Sequence, residues 1–420
     1  MNNSGGSLPQ AETSHILTCF LQVTEEIAKG SSVSIIQLVD NLIEHALALR
    51  ASDIHIDPTA TNISVRYRVD GILETAHILP LTILNEIISR LKILCGLRTD
   101  EHQSAHDGRF RVKLKRDQMT DIRISIVPTY YGENAVLRLL PEAVEIFTLE
   151  KLGFTVSNSL KITAAIKKPY GMILVTGPTG SGKTTTLYTL LQKINSIETS
   201  IVTIEDPIEY AISGINQIQV NSRTGLSFAN GLRSILRQDP NTIMVGEIRD
   251  SETAGLAVNI SLTGHLVFST LHTNDAATTL PRLLDMGVES YLIASTVNIA
   301  IGQRLLRRLC DKCKVKNNVT KAELESFGDE LTKQIIVGSI VYKAVGCVAC
   351  NQTGYRGRVG IHEVLVMTPA VREAVLTRAS ARELRQTAIS EGMIPIIEDG
   401  ITKVLAGIST VEEVLKIKHE

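Results

Sequence analysis

The sequence predicts an α/β architecture. A parallel sheet carries a glycine-rich loop, a smaller α+β domain precedes it, and a helical tail with cysteine knuckles follows. Three observations predict this. Residues Gly177, Pro178, Thr179, Gly180, Ser181, Gly182, Lys183 and Thr184 fit G-x-x-x-x-G-K-[ST] at every fixed position. From 160 to 300, short apolar runs alternate with helix-like segments, the pattern of a parallel sheet covered on both faces. Cys310, Cys313, Cys347 and Cys350 form two C-x-x-C pairs.

The loop lies between the apolar run Gly171–Thr176 and a helical stretch from Thr185 to Asn195. Strand, glycine loop, helix is the setting of a P-loop, whose glycines let the backbone wrap a phosphate. Lys183 is placed to reach the β- and γ-phosphates of ATP, and Thr184, backed by Thr185, to hold Mg²⁺.

Composition bounds the rest. The chain has 420 residues, a net charge of −1 and no Trp. At roughly 150 residues per domain, two or three domains are expected. The charge balance and sparse aromatics disfavour nucleic acid as a direct partner. No apolar run approaches the ~18 residues of a membrane span. Met1–Glu12 is polar, with neither the charged start nor the apolar core of a secretory signal, so a cytoplasmic location is expected.

In chain order, residues 1–45 read as a flexible arm with an N-terminal helix, and 46–141 as an α+β, PAS-like domain. Within it, Asp53–Asp57, Ile63–Val69, Gly108–Leu114, Asp121–Val127 and Asn134–Leu140 read as strands and Leu81–Leu94 as a helix. Asp70 and Gly71 mark a hairpin turn. A linker around Pro141–Phe154 leads to a P-loop core over 150–305. Its strands are Met172–Thr176, Ser200–Ile204, Thr242–Val245 and Leu266–Thr270. Residues 306–360 form a tetracysteine subdomain and 361–420 a helical segment.

Ligands of parallel sheets sit at the carboxyl ends of the strands. Three acidic or histidine clusters occupy such ends. Glu247 follows Thr242–Val245 and is placed to position water; pairing with Arg249 is the alternative. Glu205 and Glu209 follow another strand, where a solvated loop is the alternative to a general base. His272 follows Leu266–Thr270 and is placed to sense the γ-phosphate or to serve the core. Arginines that stabilise transferring phosphate come from Arg123 and Arg138 in the first domain, or from Arg233, Arg237 and Arg249 in the second. From pattern alone, Arg123 and Arg138 also suit a solvated strand face. Four thiolates at Cys310, Cys313, Cys347 and Cys350 suit a closed, structural Zn²⁺ site; free thiols and an iron–sulfur cluster are the alternatives.

These segments resemble one family. Glu205–Glu209 resembles its Asp box, Leu232–Asp250 its Walker B segment, Thr263–Asn274 its His box, and Ala51–Pro58 the start of its N-terminal supporting domain. Together they are similar to the GspE/PilB-like ATPases of type II secretion and type IV pilus assembly. The likeness runs from about residue 45 to the C-terminus, in family order. It implies a RecA-like core, a homo-hexameric ring, and hydrolysis of ATP that drives pseudopilus or pilus assembly. It also implies Arg123 and Arg138 completing the ATP site, and peripheral membrane association through an inner-membrane platform protein. The tetracysteine segment and Gly354–Glu363 fit the secretion and pilus-extension branch. A DNA-uptake pseudopilus or a nucleic-acid motor is the alternative reading. Family members usually carry a larger region before the shared part than the roughly 45 residues here.

Overall fold

The computed structural model describes residues 8–113, 119–141, 147–327 and 335–419. They divide into two compact units, Met1–Val144 with Cys347–Gln352, and Glu145–Gly346 with Thr353–Glu420.

The first unit runs α1 (Leu8–Ala28), α2 (Ile35–Ala48), β1 (Asp53–Pro58), β2 (Asn62–Val69), β3 (Ile72–Pro80), α3 (Leu84–Leu94), β4 (His106–Lys113), β5 (Met119–Thr129) and β6 (Gly132–Pro141). Helix α1 begins inside the stretch expected to be an arm; residues 1–7 of that arm lie outside the described residues. So do Leu114 and residues 142–146 of the expected linker. The strands form one antiparallel sheet in the order β3-β2-β1-β6-β5-β4. Alternation sets its faces. Ile54, Ile56, Val65, Tyr67, Ile122, Ile124, Leu137 and Leu139 are buried with Leu38 and Leu42 of α2 and Ile87 and Leu91 of α3. Asp53, Arg123 and Arg138 alternate with these and lie on the other face. Asp70 (φ 48°) and Gly71 (φ 89°) make the β2–β3 turn, both left-handed as a two-residue hairpin of the I′ type demands. The expected hairpin turn leads into β3, whose own residues carry no clean alternation because most of this edge strand is exposed.

The second unit runs α4 (Val156–Ile166), β7 (Gly171–Thr176), α5 (Lys183–Ile194), β8 (Ile201–Glu205), β9 (Asn216–Gln219), α6 (Phe228–Ile235), β10 (Thr242–Val245), α7 (Ser251–Leu262), β11 (Leu266–Leu271), α8 (Ala276–Asp285), α9 (Ser290–Thr296), β12 (Val297–Leu309), β13 (Val315–Asn318), α10 (Lys321–Phe327), β14 (Ile340–Lys343), β15 (Tyr355–Val366), α11 (Pro369–Leu376), α12 (Ala381–Ser390), α13 (Ile396–Leu405) and α14 (Val411–His419). Seven strands form a sheet in the order β15-β12-β7-β11-β10-β8-β9, parallel except for β15. Helices cover both faces. Met172 and Leu174 of β7 belong to one apolar core, Ile173 and Val175 to the other. Each fully buried Ile or Leu there contributes about 1.5–3 kcal/mol.

The segment expected to be helical from 361 holds helices α11–α14, but its first residues, 361–366, are strand, and the boundary expected at 305 falls inside a strand. Val297–Leu309 is the longest strand of the sheet, and Tyr355–Val366 pairs with it antiparallel. The cysteine segment lies between these two strands in the chain and carries the antiparallel β13–β14 pair, with α10 between its strands.

Candidate active site

Strand β7 ends at Thr176, and the chain turns through three glycines with positive φ: Gly177 (144°), Gly180 (79°) and Gly182 (88°). Side chains disfavour this backbone region, which accounts for the glycines. Gly182 precedes α5, and Lys183 is its first residue. The Lys183 ammonium donates to the carbonyls of Gly177 (2.8 Å) and Pro178 (2.9 Å). Burial lowers its pKa, the Glu247 carboxylate opposes that shift, and Arg304 adds to it. Thr179 and Gly180 form the exposed tip, and Thr184 and Thr185 are half-buried. The Ser181 hydroxyl is buried without a hydrogen-bond partner among the described residues. An orphaned hydroxyl in a loop of left-handed glycines, followed by a lysine at a helix start, fits a nucleotide phosphate.

The parallel register delivers the other strand ends to the same edge. Glu247 follows β10, with its side chain 14% exposed. Its carboxylate meets His272 Nε2 at 2.9 Å and is paired with Arg249, which also lies 3.7 Å from Asp206. Burial pushes the Glu247 carboxyl up, but hydrogen bonds from Arg249 and His272 outweigh it and leave the group below its ordinary range. Lys183, Glu247, His272 and Arg249 are thus brought together.

Glu205 is not part of that group. It is buried at the end of β8 and accepts from the Tyr188 hydroxyl, Thr203 Oγ1 (2.6 Å) and Gln217 Nε2 (3.1 Å). Burial raises its pKa. The backbone N–H of Glu209 donates to the Tyr188 hydroxyl at 3.4 Å, beyond a cis Asp206–Pro207 bond. Arg233 pairs with Glu252 at 2.6 Å, and Arg237 donates to the Arg233 carbonyl. Arg123 and Arg138 stand directly opposite each other on β5 and β6. Their row continues through Arg109 on β4 and Asp53 on β1, and Arg138 Nε meets Asp53 at 3.1 Å.

Gln303 and Arg304 of β12 were missed by sequence reasoning. Gln303 contacts the loop itself (2.7 Å to the Ser181 carbonyl), and Arg304 is buried. The only signal was a polar pair inside an apolar strand.

The Sγ atoms of Cys310, Cys313, Cys347 and Cys350 lie within 4.8 Å of one another, and the Cys347–Cys350 pair is 3.8 Å apart. Thiolates at ~2.3 Å around a tetrahedral metal stand about 3.8 Å apart, so the set can hold a metal ion. No helix among the described residues is long and apolar enough to cross a membrane.

Residues 28–416 match the model of a family described as type II/IV secretion system protein. The chain belongs to this family. Among its relatives, the type II secretion system protein E of Xanthomonas campestris pv. campestris is 46% identical over 391 residues, covering 93% of this chain and 68% of that protein. The type IV pilus assembly ATPase PilB of Myxococcus xanthus is 45% identical, covering 93% and 69%. The pilus retraction motor PilT, solved with bound ADP, is 27% identical with a TM-score of 0.62, covering 90% of this chain and 96% of that one. The Legionella pneumophila ATPase DotB shares the fold, with a TM-score of 0.66 at 24% identity, covering 91% and 95%. Family membership and the loop geometry make this type II/IV secretion system protein an ATPase.

Proposed function

We propose that this chain works as a homo-hexameric ring whose ATP hydrolysis drives pseudopilus or pilus assembly, for type II secretion or type IV pilus extension. One observation carries the reading: Lys183, Glu247 and His272 converge at the carboxyl edge of the parallel sheet. Gly177–Thr185 binds the nucleotide, and Lys183 neutralises the β- and γ-phosphates. Thr184 would hold Mg²⁺, which supplies charge neutralisation when bound. Glu247, kept ionised by Arg249 and His272, orients the attacking water. His272 holds that carboxylate by its hydrogen bond, so the γ-phosphate state reaches β11 through it. Glu205 and Glu209 support α5 through Tyr188. Arg123 and Arg138 of the first unit act on the transferring phosphate. Zn²⁺ fills the tetracysteine set as a closed structural site. The ring meets the cytoplasmic membrane through an inner-membrane platform protein.

Lys183→Ala tests the site, because it removes the ammonium held at the phosphate loop; ATP turnover should vanish in a folded preparation. The purified cytoplasmic part of a platform protein should raise wild-type turnover, and DNA should not. Stimulation by DNA alone would move the assignment to a nucleic-acid motor.

A further inference from the structure

Strand β12 runs parallel to β7 with Gly302 opposite Thr176. It continues past the end of β7, so Gln303 lies beside the loop. On that face of β12, Ile299 and Ile301 precede it and join an apolar core. Gln303 is the polar exception, and it is buried at 2% exposure. Both ends of its amide are used on the loop and the first turn of α5. Nε2 donates to the Ser181 carbonyl at 2.7 Å, and Oε1 accepts from Thr186 Oγ1 at 2.7 Å. The loop is shaped around this residue. A Cβ on Gly177 would fall 2.3 Å from the Gln303 carbonyl oxygen, and one on Gly182 would fall 2.8 Å from Nε2.

In a trans peptide the C=O of one residue and the N–H of the next point in opposite directions. Tying the Ser181 carbonyl to Gln303 therefore turns the Gly182 N–H to the side of the loop away from β12. Released, that peptide can rotate and present an oxygen where a phosphate needs a donor. From this geometry we propose that Gln303 is a positioning residue of the ATPase. It clamps the phosphate-binding loop to the central sheet with the Gly182 N–H facing the nucleotide. The proposal rests on nucleotide binding at this loop.

Two substitutions in the full chain test it, with MgATP as the probe. In Gln303→Glu the ionised carboxylate still accepts from Thr186 but cannot donate to the Ser181 carbonyl. Its protonated form can, and burial raises the pH at which that form persists. The KM for ATP should rise roughly 10–100-fold at pH 8.5, the consequence of a lost donor facing a buried carbonyl. It should return towards the wild-type value as the pH is lowered to 6, while the wild-type KM changes little over the same range. Gln303→Met keeps the volume and loses both bonds, so its KM should be high at every pH. A merely structural role would lower Tm without this pH-dependent recovery. Folded variants with ATP KM within about twofold of wild type at all pH values would overturn the proposal. If Gln303→Met does not fold, the pH profile of Gln303→Glu decides alone. Wild-type protein that binds no ATP would overturn the site reading and this proposal together. Wild-type binding with indifferent variants overturns only the role of Gln303.

Discussion

Glu247 and Glu205 both stand at the carboxyl end of a parallel strand, yet their surroundings separate their roles. Glu247 faces a histidine, an arginine and the Lys183 charge at a partly open edge. Glu205 is sealed among hydroxyl and amide donors. Glu247→Gln keeps the shape and removes the charge, so ATP should still bind while hydrolysis per bound ATP slows by roughly 10²–10⁴. Rapid-quench turnover beside nucleotide titration checks this; collapse of affinity with an unchanged rate would make Glu247 a holding residue. Glu205→Ala should act on stability instead, because it strands the buried hydroxyls of Tyr188 and Thr203, at about 2–5 kcal/mol. Denaturant unfolding reads that loss. Which acid is sealed and which is open was not legible in the sequence, since both clusters follow an apolar strand and only packing distinguishes the two.

At the scale of elements, the first unit contains a buried histidine pair between α2 and β3. His45 Nδ1 and His77 Nε2 share a hydrogen bond at 2.8 Å, with Phe20 of α1 stacked on His77 at 5.3 Å. Burial lowers both to a pKa of about 4, and the neighbouring His77 adds to the shift at His45. The folded values lie below the unfolded one of about 6.5. The stability from these groups is therefore complete above about pH 6.5 and is lost as pH falls from there towards 4. Amide exchange in α2 and β3 should accelerate over that window, and replacing both histidines with Gln should flatten the trend. An unchanged slope in the double variant would refute it. Strand β12 teaches the converse lesson about elements. Its partner β15 lies beyond the inserted β13–β14 segment, so neither strand announced itself locally, and residues 361–366 read as helix.

For the whole molecule, the tetracysteine set and the arginine row make separate predictions. Metal analysis should find about one zinc per chain, and Cys347→Ser with Cys350→Ser should remove it. Structural zinc in small peptides supplies ~10–16 kcal/mol of apparent binding energy, so its loss should loosen the β13–β14 segment while the P-loop still binds ATP. Full zinc occupancy in the double variant would exclude these ligands. Arg138→Ala leaves Asp53 with Arg68 at 3.5 Å, so the sheet should stand. Arg123→Ala and Arg138→Ala should then hold ADP near wild-type affinity and lose turnover by roughly 10³. Normal turnover in both would return these arginines to a solvated strand face.

The sequence by itself determined the P-loop, the parallel core strands, the β2–β3 hairpin and the four cysteines that cluster. Each is written in adjacent or regularly spaced residues, through glycines that only left-handed backbone needs, apolar runs, or paired thiols. The tertiary structure alone decided what long-range pairing controls. It placed His272 on Glu247, turned Glu205 inward onto Tyr188, and brought Gln303 against Ser181 across more than a hundred residues of chain. Such contacts depend on which strand lies beside which, and in a parallel sheet that order, β12 beside β7 beside β11, follows packing of the two faces and not position along the chain.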